Sequence, residues 1–268
     1  MAQIRAGAGR MVMTADSTTT PLVGSATMPV IEVRVNGRGP FRFLIDLGSN
    51  VIIVRKNIVL AAEGQTIVRR STSDIVGFDS LRIGSARFDR VVAGAYDSLD
   101  VDGVIGYNLL RLSPFTLDFP AARFSLHNRR LSSDNRFVVP YQLVGRMPHL
   151  WVRFGHDSLL TNLDTGATEW FTIPTTFRDS IAWGREPTPG PTVSNNQTGA
   201  RRVLQGQTRD SLTLGPLRLA PGVVYLNADA DSPWLGSGSM RFARWTFDPN
   251  ALRVEIVPSR HVSASPPE

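Results

Sequence analysis

The feature that most constrains the fold of this chain is an internal duplication. Four short motifs occur twice, in the same order, in the two halves of the 268-residue sequence. Aligned on their aspartates, FLIDLGSN and LTNLDTGA are offset by 118 residues, while FDSLRIG and RDSLTLG are offset by 131, GVIGYNLL and PWLGSGSM by 130, and FTLDFPAARFSL and WTFDPNALRVEI by 130. Motifs repeated in the same order indicate structurally equivalent units. The sequence therefore predicts two copies of one fold.

Both halves have the pattern of a mainly β protein. Short apolar runs alternate with turns of Gly, Pro, Asn and Asp, as in IEVRVNGRGPFRFLID and SLTLGPLRLAPGVVYL. Such period-two runs predict strands and turns, with few long helical stretches. We expect short helices at residues 56–62, 107–112, 174–181 and 237–244.

The repeats also predict the domain organisation. We expect an N-terminal lobe at residues 25–132 and a C-terminal lobe at 133–259, with their boundary in the polar turn NRRLSSDN. Residues 1–24 are expected to form a flexible segment, and residues 260–268 a disordered tail. The second half is longer, and its additional residues lie in GREPTPGPTVSNNQTG.

Composition excludes several classes of function. The chain has no cysteine, which excludes disulfides, thiolate nucleophiles and zinc fingers. The four histidines lack metal-ligand spacing, and we predict neither a metal nor a cofactor. The net charge of +6 comes from scattered arginines without a dense basic stretch, so we predict no nucleic-acid partner. Because no apolar run is long enough to span a bilayer, we predict no membrane association.

The start of the sequence leaves the compartment open. MAQIRAGAGRMVMTADSTTT lacks the continuous apolar stretch of a signal peptide. We expect a cytoplasmic protein if the sequence is taken as it stands, and a periplasmic or secreted protein if a leader has been removed.

Each half contains an aspartate in a glycine turn after an apolar run, namely Asp46 and Asp164. Burying an ionised carboxylate is costly unless the group is paired or hydrogen-bonded. In a duplicated fold, equivalent loops near the pseudo-twofold axis face each other, so we expect the two carboxyl groups to meet and to share one proton. Such a pair can activate a water molecule for attack on a carbonyl carbon.

These motifs resemble those of the aspartic proteases of the pepsin and retropepsin clan, and DGVIGYNLL and TLDFPAARFSL look like bacterial retropepsin-like sequences. The family motif is Asp-Thr/Ser-Gly-Ser/Ala, followed further on by two apolar residues and a glycine that opens a short helix. Residues 46–49 with 104–106 match it in the first half, and residues 164–167 with 234–236 match it in the second. The resemblance spans about residues 28–258. It implies an all-β fold of two retropepsin-like β-barrel lobes, with a cleft between them and a few short helices.

The resemblance implies roles for both loops. Asp46 and Asp164 would be the catalytic pair of an endopeptidase that hydrolyses a peptide or protein substrate. The residues expected to support the active loops are Leu47, Gly48, Ser49, Thr165, Gly166 and Ala167. Because both lobes belong to one chain, we expect a monomer to form the complete site.

A β-hairpin in each half is expected to cover the cleft and to hold an extended peptide through backbone hydrogen bonds. The candidates are residues 65–78 and 191–208. The first lacks the tyrosine of pepsin-type flaps, and neither has the glycine-rich tip of viral enzymes. We interpret the arginine pairs at 69–70 and 201–202 as residues that keep exposed strands soluble.

Leu47 departs from the family motif, which has Thr or Ser at this position. In the family this hydroxyl reaches the backbone of the opposite loop, a contact that Thr165 can make and Leu47 cannot. Two functions remain open: an aspartic endopeptidase, or a catalytically weak or inactive peptide-binding protein with the same fold. A serine protease is excluded because no histidine lies in a repeated setting beside a nucleophilic serine. The dispersed tryptophans do not favour a carbohydrate-binding domain.

Overall fold

The computed structural model describes residues 7–131, 136–195 and 199–259, and within these ranges strands predominate. The strands of the first half are β1 Arg10–Val12, β2 Ser17–Pro21, β3 Val30–Val35, β4 Arg38–Asp46, β5 Ile53–Arg55, β6 Gln65–Val68, β7 Asp74–Ile83, β8 Ala86–Tyr96, β9 Gly103–Gly106, β10 Phe115–Asp118 and β11 Arg123–His127. Those of the second half are β12 Val138–Pro140, β13 Gln142–Val144, β14 Met147–Phe154, β15 Asp157–Asp164, β16 Phe171–Pro174, β17 Trp183–Asn195, β18 Gly199–Thr208, β19 Leu212–Leu214, β20 Leu217–Leu219, β21 Val223–Asn227, β22 Trp234–Gly236, β23 Ala243–Asp248 and β24 Arg253–Pro258.

Helical structure is found at the four places expected from the sequence, in each case as a short element. The helices are α1 Lys56–Ala61, α2 Tyr107–Leu110 and α3 Ser237–Met240, and Thr175–Ser180 is a 3-10 helix. The last helix is shorter than expected because the chain enters β23 at Ala243. No helix in the described ranges is long and apolar enough to cross a membrane.

Each lobe contains a large sheet, and the two sheets are built alike. The first has the strand order β1-β8-β5-β9-β4-β3-β7-β6, and the second has the order β17-β18-β21-β16-β22-β15-β14-β19-β20, with β13 paired to β14. In both, the strand that ends in the aspartate runs parallel to a strand that ends in a glycine. Asp46 pairs with Gly106, and Asp164 pairs with Gly236. The two sheets thus share this pairing of an aspartate with a glycine.

A six-stranded sheet, with the order β12-β24-β23-β10-β11-β2, joins the two lobes. At its centre, β10 and β23 pair antiparallel, with Thr116 opposite Thr246. The two hydroxyl oxygens lie 3.0 Å apart. These residues occupy equivalent positions of the repeat, 130 residues apart, so their contact straddles the pseudo-twofold axis.

Apolar residues from both lobes form one continuous core. Along the aspartate-bearing strands, alternate side chains enter this core, with Phe43 and Ile45 from β4 and Leu163 from β15 each fully buried. Because successive side chains of a strand point to opposite faces, the aspartate that follows Ile45 or Leu163 points away from the core.

The expectation of a flexible segment over residues 1–24 is corrected by the structure at residues 10–21. β1 pairs with β8, and β2 pairs with β11 at the edge of the six-stranded sheet. The sequence of β2, STTTP, is rich in β-branched threonine, which favours extended structure. The Thr19 hydroxyl also contacts the Ser125 hydroxyl at 2.8 Å.

The two expected hairpins are formed by β6 with β7 and by β17 with β18. Arg69 and Arg70, which directly follow β6, and Arg202 on β18 are exposed, as expected of solubilising residues. The side chain of Arg201 lies outside the described residues. Residues 1–6, half of the expected lobe boundary (132–135), residues 196–198 and the tail at 260–268 lie outside the described residues.

Candidate active site

The two aspartates occupy equivalent tight turns at the ends of their strands. In the first turn the Ser49 N–H approaches the Asp46 carbonyl oxygen at 3.4 Å, and in the second the Ala167 N–H approaches the Asp164 carbonyl oxygen at 3.3 Å. Each turn therefore folds back on the residue that carries the carboxyl group. Local backbone hydrogen bonds therefore help to fix the position of the aspartate.

Backbone N–H groups of each turn also bind the aspartate side chain. The Gly48 N–H donates to Asp46 Oδ1 at 2.8 Å. The Gly166 and Ala167 N–H groups donate to Asp164 Oδ1 at 3.0 and 3.1 Å. These donors orient each carboxyl group toward the opposite loop and stabilise its ionised form.

The structure brings the two carboxyl groups together, and the Asp46 and Asp164 side chains hydrogen-bond to each other. The glycine of each loop faces the aspartate of the other. A Cβ added at Gly166 would lie 2.7–2.9 Å from the carboxyl atoms of Asp46, and one added at Gly48 would collide with the Asp164 carboxyl group. Close approach of the two loops thus requires glycine at both positions.

Burial raises the pKa of both Asp46 and Asp164, and the proximity of Asp46 raises that of Asp164 further. Two carboxyl groups at hydrogen-bonding distance do not ionise together without a large electrostatic cost. The pair therefore retains one shared proton over a range of pH in which an isolated aspartate is ionised.

The loops are connected across the pseudo-twofold axis by Thr165. Its hydroxyl accepts a hydrogen bond from the Leu47 N–H at 3.0 Å and donates to the Ile45 carbonyl oxygen at 2.7 Å. Leu47 has no polar side-chain atom with which to return these bonds. Its side chain is instead fully buried in the common core. One of two symmetry-related polar links is thus replaced by apolar packing.

A short helix is hydrogen-bonded through its first N–H group to each aspartate-bearing loop. The first N–H of α2, from Tyr107, donates to the Ser49 carbonyl oxygen at 2.7 Å, and the first N–H of α3, from Ser237, donates to the Ala167 carbonyl oxygen at 2.8 Å. A Cβ at Gly106 or at Gly236 would collide with the backbone of the loop. The glycine that opens each helix therefore lets the helix approach the active loop closely.

Two further contacts between the lobes were not anticipated from the sequence. Asn50 Nδ2 donates to the Gly145 carbonyl oxygen at 2.8 Å. Ser237 Oγ donates to the Thr27 carbonyl oxygen at 2.5 Å. Thr27 and Gly145 are 118 residues apart, the offset that also separates the aspartates, so each lobe binds the equivalent turn of the other. That shared offset is the one sequence signal that relates the two acceptors.

Comparison with known proteins supports the resemblance. A family model described as aspartyl protease matches residues 31–109, which include the Asp46 loop and Gly106. No curated protein matches the chain by sequence. Among solved structures, the aspartic proteinase from Irpex lacteus is similar, with a TM-score of 0.60 and 12% sequence identity over 94% of this chain and 100% of that chain. The chain has the two-lobed, all-β fold of an aspartic proteinase, as predicted from the sequence.

Proposed function

We propose that the protein is an aspartic endopeptidase whose catalytic residues are Asp46 and Asp164. The observation that carries this proposal is the mutual hydrogen bond between the two carboxyl groups, each held by the backbone of its own glycine turn. A pair of this kind contains one acid and one base side by side. The fold and the family match of residues 31–109 agree with a hydrolase of the aspartic protease class.

The chemistry follows from the shared proton. The ionised carboxylate takes a proton from a water molecule as the water oxygen bonds to the carbonyl carbon of the peptide. The protonated carboxyl group hydrogen-bonds the carbonyl oxygen and gives up its proton as a gem-diol forms. The peptide C–N bond then breaks while the nitrogen takes a proton from the pair and one gem-diol hydroxyl returns a proton to it, so that the products are a carboxylic acid and an amine and the pair again holds one proton. These reaction steps use residues of one chain, in keeping with a monomer that acts on peptide or protein substrates.

Leu47 favours a second candidate, a peptide-binding protein with the same fold and weak or absent catalysis. Its side chain cannot bind the Thr165 loop, and a small displacement of Asp46 would lower the rate severely. The remaining Thr165 hydrogen bonds and the complete burial of Leu47 argue for a loop that is still held in place. We therefore rank the endopeptidase first.

Incubation with a mixed peptide library at acidic to neutral pH, with and without a statine-type inhibitor, tests the proposal. The protein should cleave the library, and Asp46→Asn and Asp164→Asn should each lower the rate by about 10³-fold or more, because each removes one member of the acid–base pair. Asp79→Asn is the matched control, since Asp79 also belongs to a repeated motif but is exposed.

The outcomes separate the two candidates. Cleavage by either dyad variant at the parental rate would exclude the two-carboxylate mechanism. Binding of the inhibitor by the parent protein without cleavage of any peptide would identify the peptide-binding alternative.

A further inference from the structure

The face of the C-terminal sheet that carries Asp164 is lined by polar side chains. Asn162, two residues before Asp164 on β15, points to the same face. Across the sheet, Asn162 pairs with Trp234, Trp234 with Thr172, and Thr172 with Tyr225. Residues directly opposite each other on neighbouring strands share a face, so these four side chains form a row that begins beside Asp164.

This row contains buried polar atoms without a partner. Among the described residues, Asn162 Oδ1, Trp234 Nε1 and Thr172 Oγ1 have no hydrogen-bond partner, and the same is true of Glu169 Oε2. Most buried polar side-chain atoms in proteins do have one. Three of these atoms can accept a hydrogen bond and Trp234 Nε1 can donate one, so this part of the structure has hydrogen-bonding capacity that the described residues do not use.

Glu169 links the row to the dyad. Burial raises the pKa of its carboxyl group, and the Asp164 charge raises it further. Burial raises the pKa of the Tyr225 hydroxyl, and the Glu169 charge raises it further, so Glu169 influences both Asp164 and the last residue of the row. Backbone N–H groups of Thr168 and Glu169 bind this carboxyl group, and its Oε2 remains without a partner.

The equivalent face of the N-terminal lobe is apolar. Ile53, Leu99 and Val104 form a small separate core there, against which Leu44 and Val51 pack. The repeat relates Leu44 to Asn162, Val51 to Glu169 and Val104 to Trp234, and the strand pairing relates Ile53 to Thr172. Each of the four unpartnered polar side chains thus replaces an apolar one, and the two surfaces that flank the dyad differ in chemistry.

The two surfaces are placed to contact the residues on either side of a cleaved bond. Leu44 lies two residues before Asp46, and Asn162 lies two residues before Asp164, on the faces that carry the carboxyl groups. Successive side chains of an extended peptide point in opposite directions. A peptide whose scissile bond lies over the dyad would therefore direct one side chain to each surface.

The polar surface is suited to a cation. Asn162 Oδ1 and Glu169 Oε2 accept hydrogen bonds, and the Thr172 hydroxyl can also accept one. Lys and Arg side chains are rich in donors and have long apolar stems that can pack on the ring of Trp234. A hydrogen bond between a cation and a carboxylate is stronger than one between neutral groups.

We infer that this surface, formed by Asn162, Glu169, Thr172 and Trp234, is a subsite for a lysine or arginine side chain, while the Leu44 surface takes an apolar side chain. The inference rests on the proposed function, because it names the substrate class of the same cleft. The preferred substrate thus has a basic residue on one side of the cleaved bond and an apolar residue on the other.

Cleavage-site mapping of a peptide library by mass spectrometry tests this inference. Lysine and arginine should be enriched at one of the two positions that flank the cleaved bond, and apolar residues at the other. Two peptides that differ only by lysine or norleucine at the enriched position then give a ratio of kcat/KM values. This ratio should fall at least about 10-fold in Glu169→Val and in Asn162→Leu, which introduce the N-terminal lobe's residues, and by less in Glu169→Gln.

Glu63→Gln is the control, because Glu63 is an exposed carboxylate paired with Arg38, and its ratio should be that of the parent. Thermal unfolding of each variant identifies any that fails to fold. If Glu169→Val or Asn162→Leu does not fold, the kcat/KM ratio of Glu169→Gln is compared with that of the parent instead. Absence of basic enrichment in the parent, or an unchanged ratio in a folded Glu169→Val protein, would overturn the inference.

A binding measurement separates this inference from the proposed function. Statine-containing peptides with lysine or norleucine at the same position are titrated by calorimetry into the parent protein. If the parent cleaves no peptide but binds the lysine peptide at least about 10-fold more tightly, the subsite stands without the endopeptidase. If it binds both peptides equally, the subsite assignment is wrong whether or not the protein is an enzyme.

Discussion

The Thr165 hydroxyl accepts a hydrogen bond from the Leu47 N–H across the two lobes, at 3.0 Å, and Leu47 offers no side-chain bond in return. The pseudo-twofold symmetry of the site is therefore broken at this pair. The Thr165 side is polar and 1% exposed, and the Leu47 side is apolar and fully buried. The two hydrogen bonds to Leu47 and Ile45 thus depend on a single hydroxyl group, and both sides of this contact can be tested by substitution.

Thr165→Val should destabilise the protein by about 1–3 kcal/mol, because it leaves the buried Leu47 N–H and Ile45 carbonyl groups without this partner. Urea unfolding of the parent and the variant measures the difference. Thr168→Val is the control, since Thr168 lies in the same loop but is exposed, and it should change stability little. Equal free energies of unfolding for parent and Thr165→Val would show that the bridge contributes nothing.

Leu47→Thr should raise kcat relative to Leu47→Val, because the two side chains have nearly the same shape and only threonine can bind the Thr165 loop. A better-fixed Asp46 loop holds the carboxyl group closer to its working geometry. Steady-state kinetics on one peptide measures the comparison. Both variants should be less stable than the parent, because each removes part of a fully buried side chain from the core.

Equal kcat values for Leu47→Thr and Leu47→Val would mean that a hydroxyl at position 47 has no catalytic value in this protein. Apolar packing would then hold the Asp46 loop as well as a polar link does.

The sequence was sufficient to predict those parts of the fold that its repeats encode. The offset of 118 between Asp46 and Asp164 predicted equivalent loops, and the strand pairings Asp46–Gly106 and Asp164–Gly236 have the equivalence expected of them. Short helices and hairpins followed from glycine positions and period-two runs, which are local signals. Short helices and hairpins can be predicted from sequence because they depend on few contacts between distant parts of the chain.

Features that depend on packing between the halves could not be read from the sequence. The segment that contains β2 was expected to be flexible, yet it gains its hydrogen bonds from β11. The polar surface at Asn162 and Glu169 can be recognised only from the strand pairing, which shows that Leu44 and Val51 occupy the equivalent positions of the other lobe. Neither the missing partners of these atoms nor the contact of Asn50 with Gly145 has a local signature.

The contribution of the dyad to the stability of the protein should fall as the pH rises above about 4. Burial raises the pKa of Asp46 and Asp164 above the ordinary value of 3.8. Above that value the unfolded chain releases a proton that the folded protein keeps, so the stabilising contribution is complete at low pH and is lost as the pH rises through the folded-state pKa. One retained proton corresponds to a slope of up to about 1.4 kcal/mol per pH unit.

Urea unfolding of the parent and of Asp164→Asn at a series of pH values isolates this contribution. Other shifted groups, such as Asp89 and His149 with lowered pKa values, are common to both proteins and cancel in the difference. The slope should be shallower in the variant, which cannot share a proton between two carboxyl groups. Parallel profiles would show that the dyad binds no proton beyond that of an ordinary aspartate.

Gly166→Ala should abolish most of the activity while leaving the protein folded. The added Cβ would lie 2.7–2.9 Å from three atoms of the Asp46 carboxyl group, closer than such contacts normally allow. The loops must separate to relieve this contact, and misplacement of a catalytic group by about 1 Å can cost about 10²-fold in rate. Gly184→Ala is the control, because its added Cβ would have ordinary contacts of 3.4 Å or more. The test is a measurement of kcat for both variants, with circular dichroism to verify that each is folded. If Gly166→Ala is as active as Gly184→Ala, catalysis does not require the close approach of the two loops.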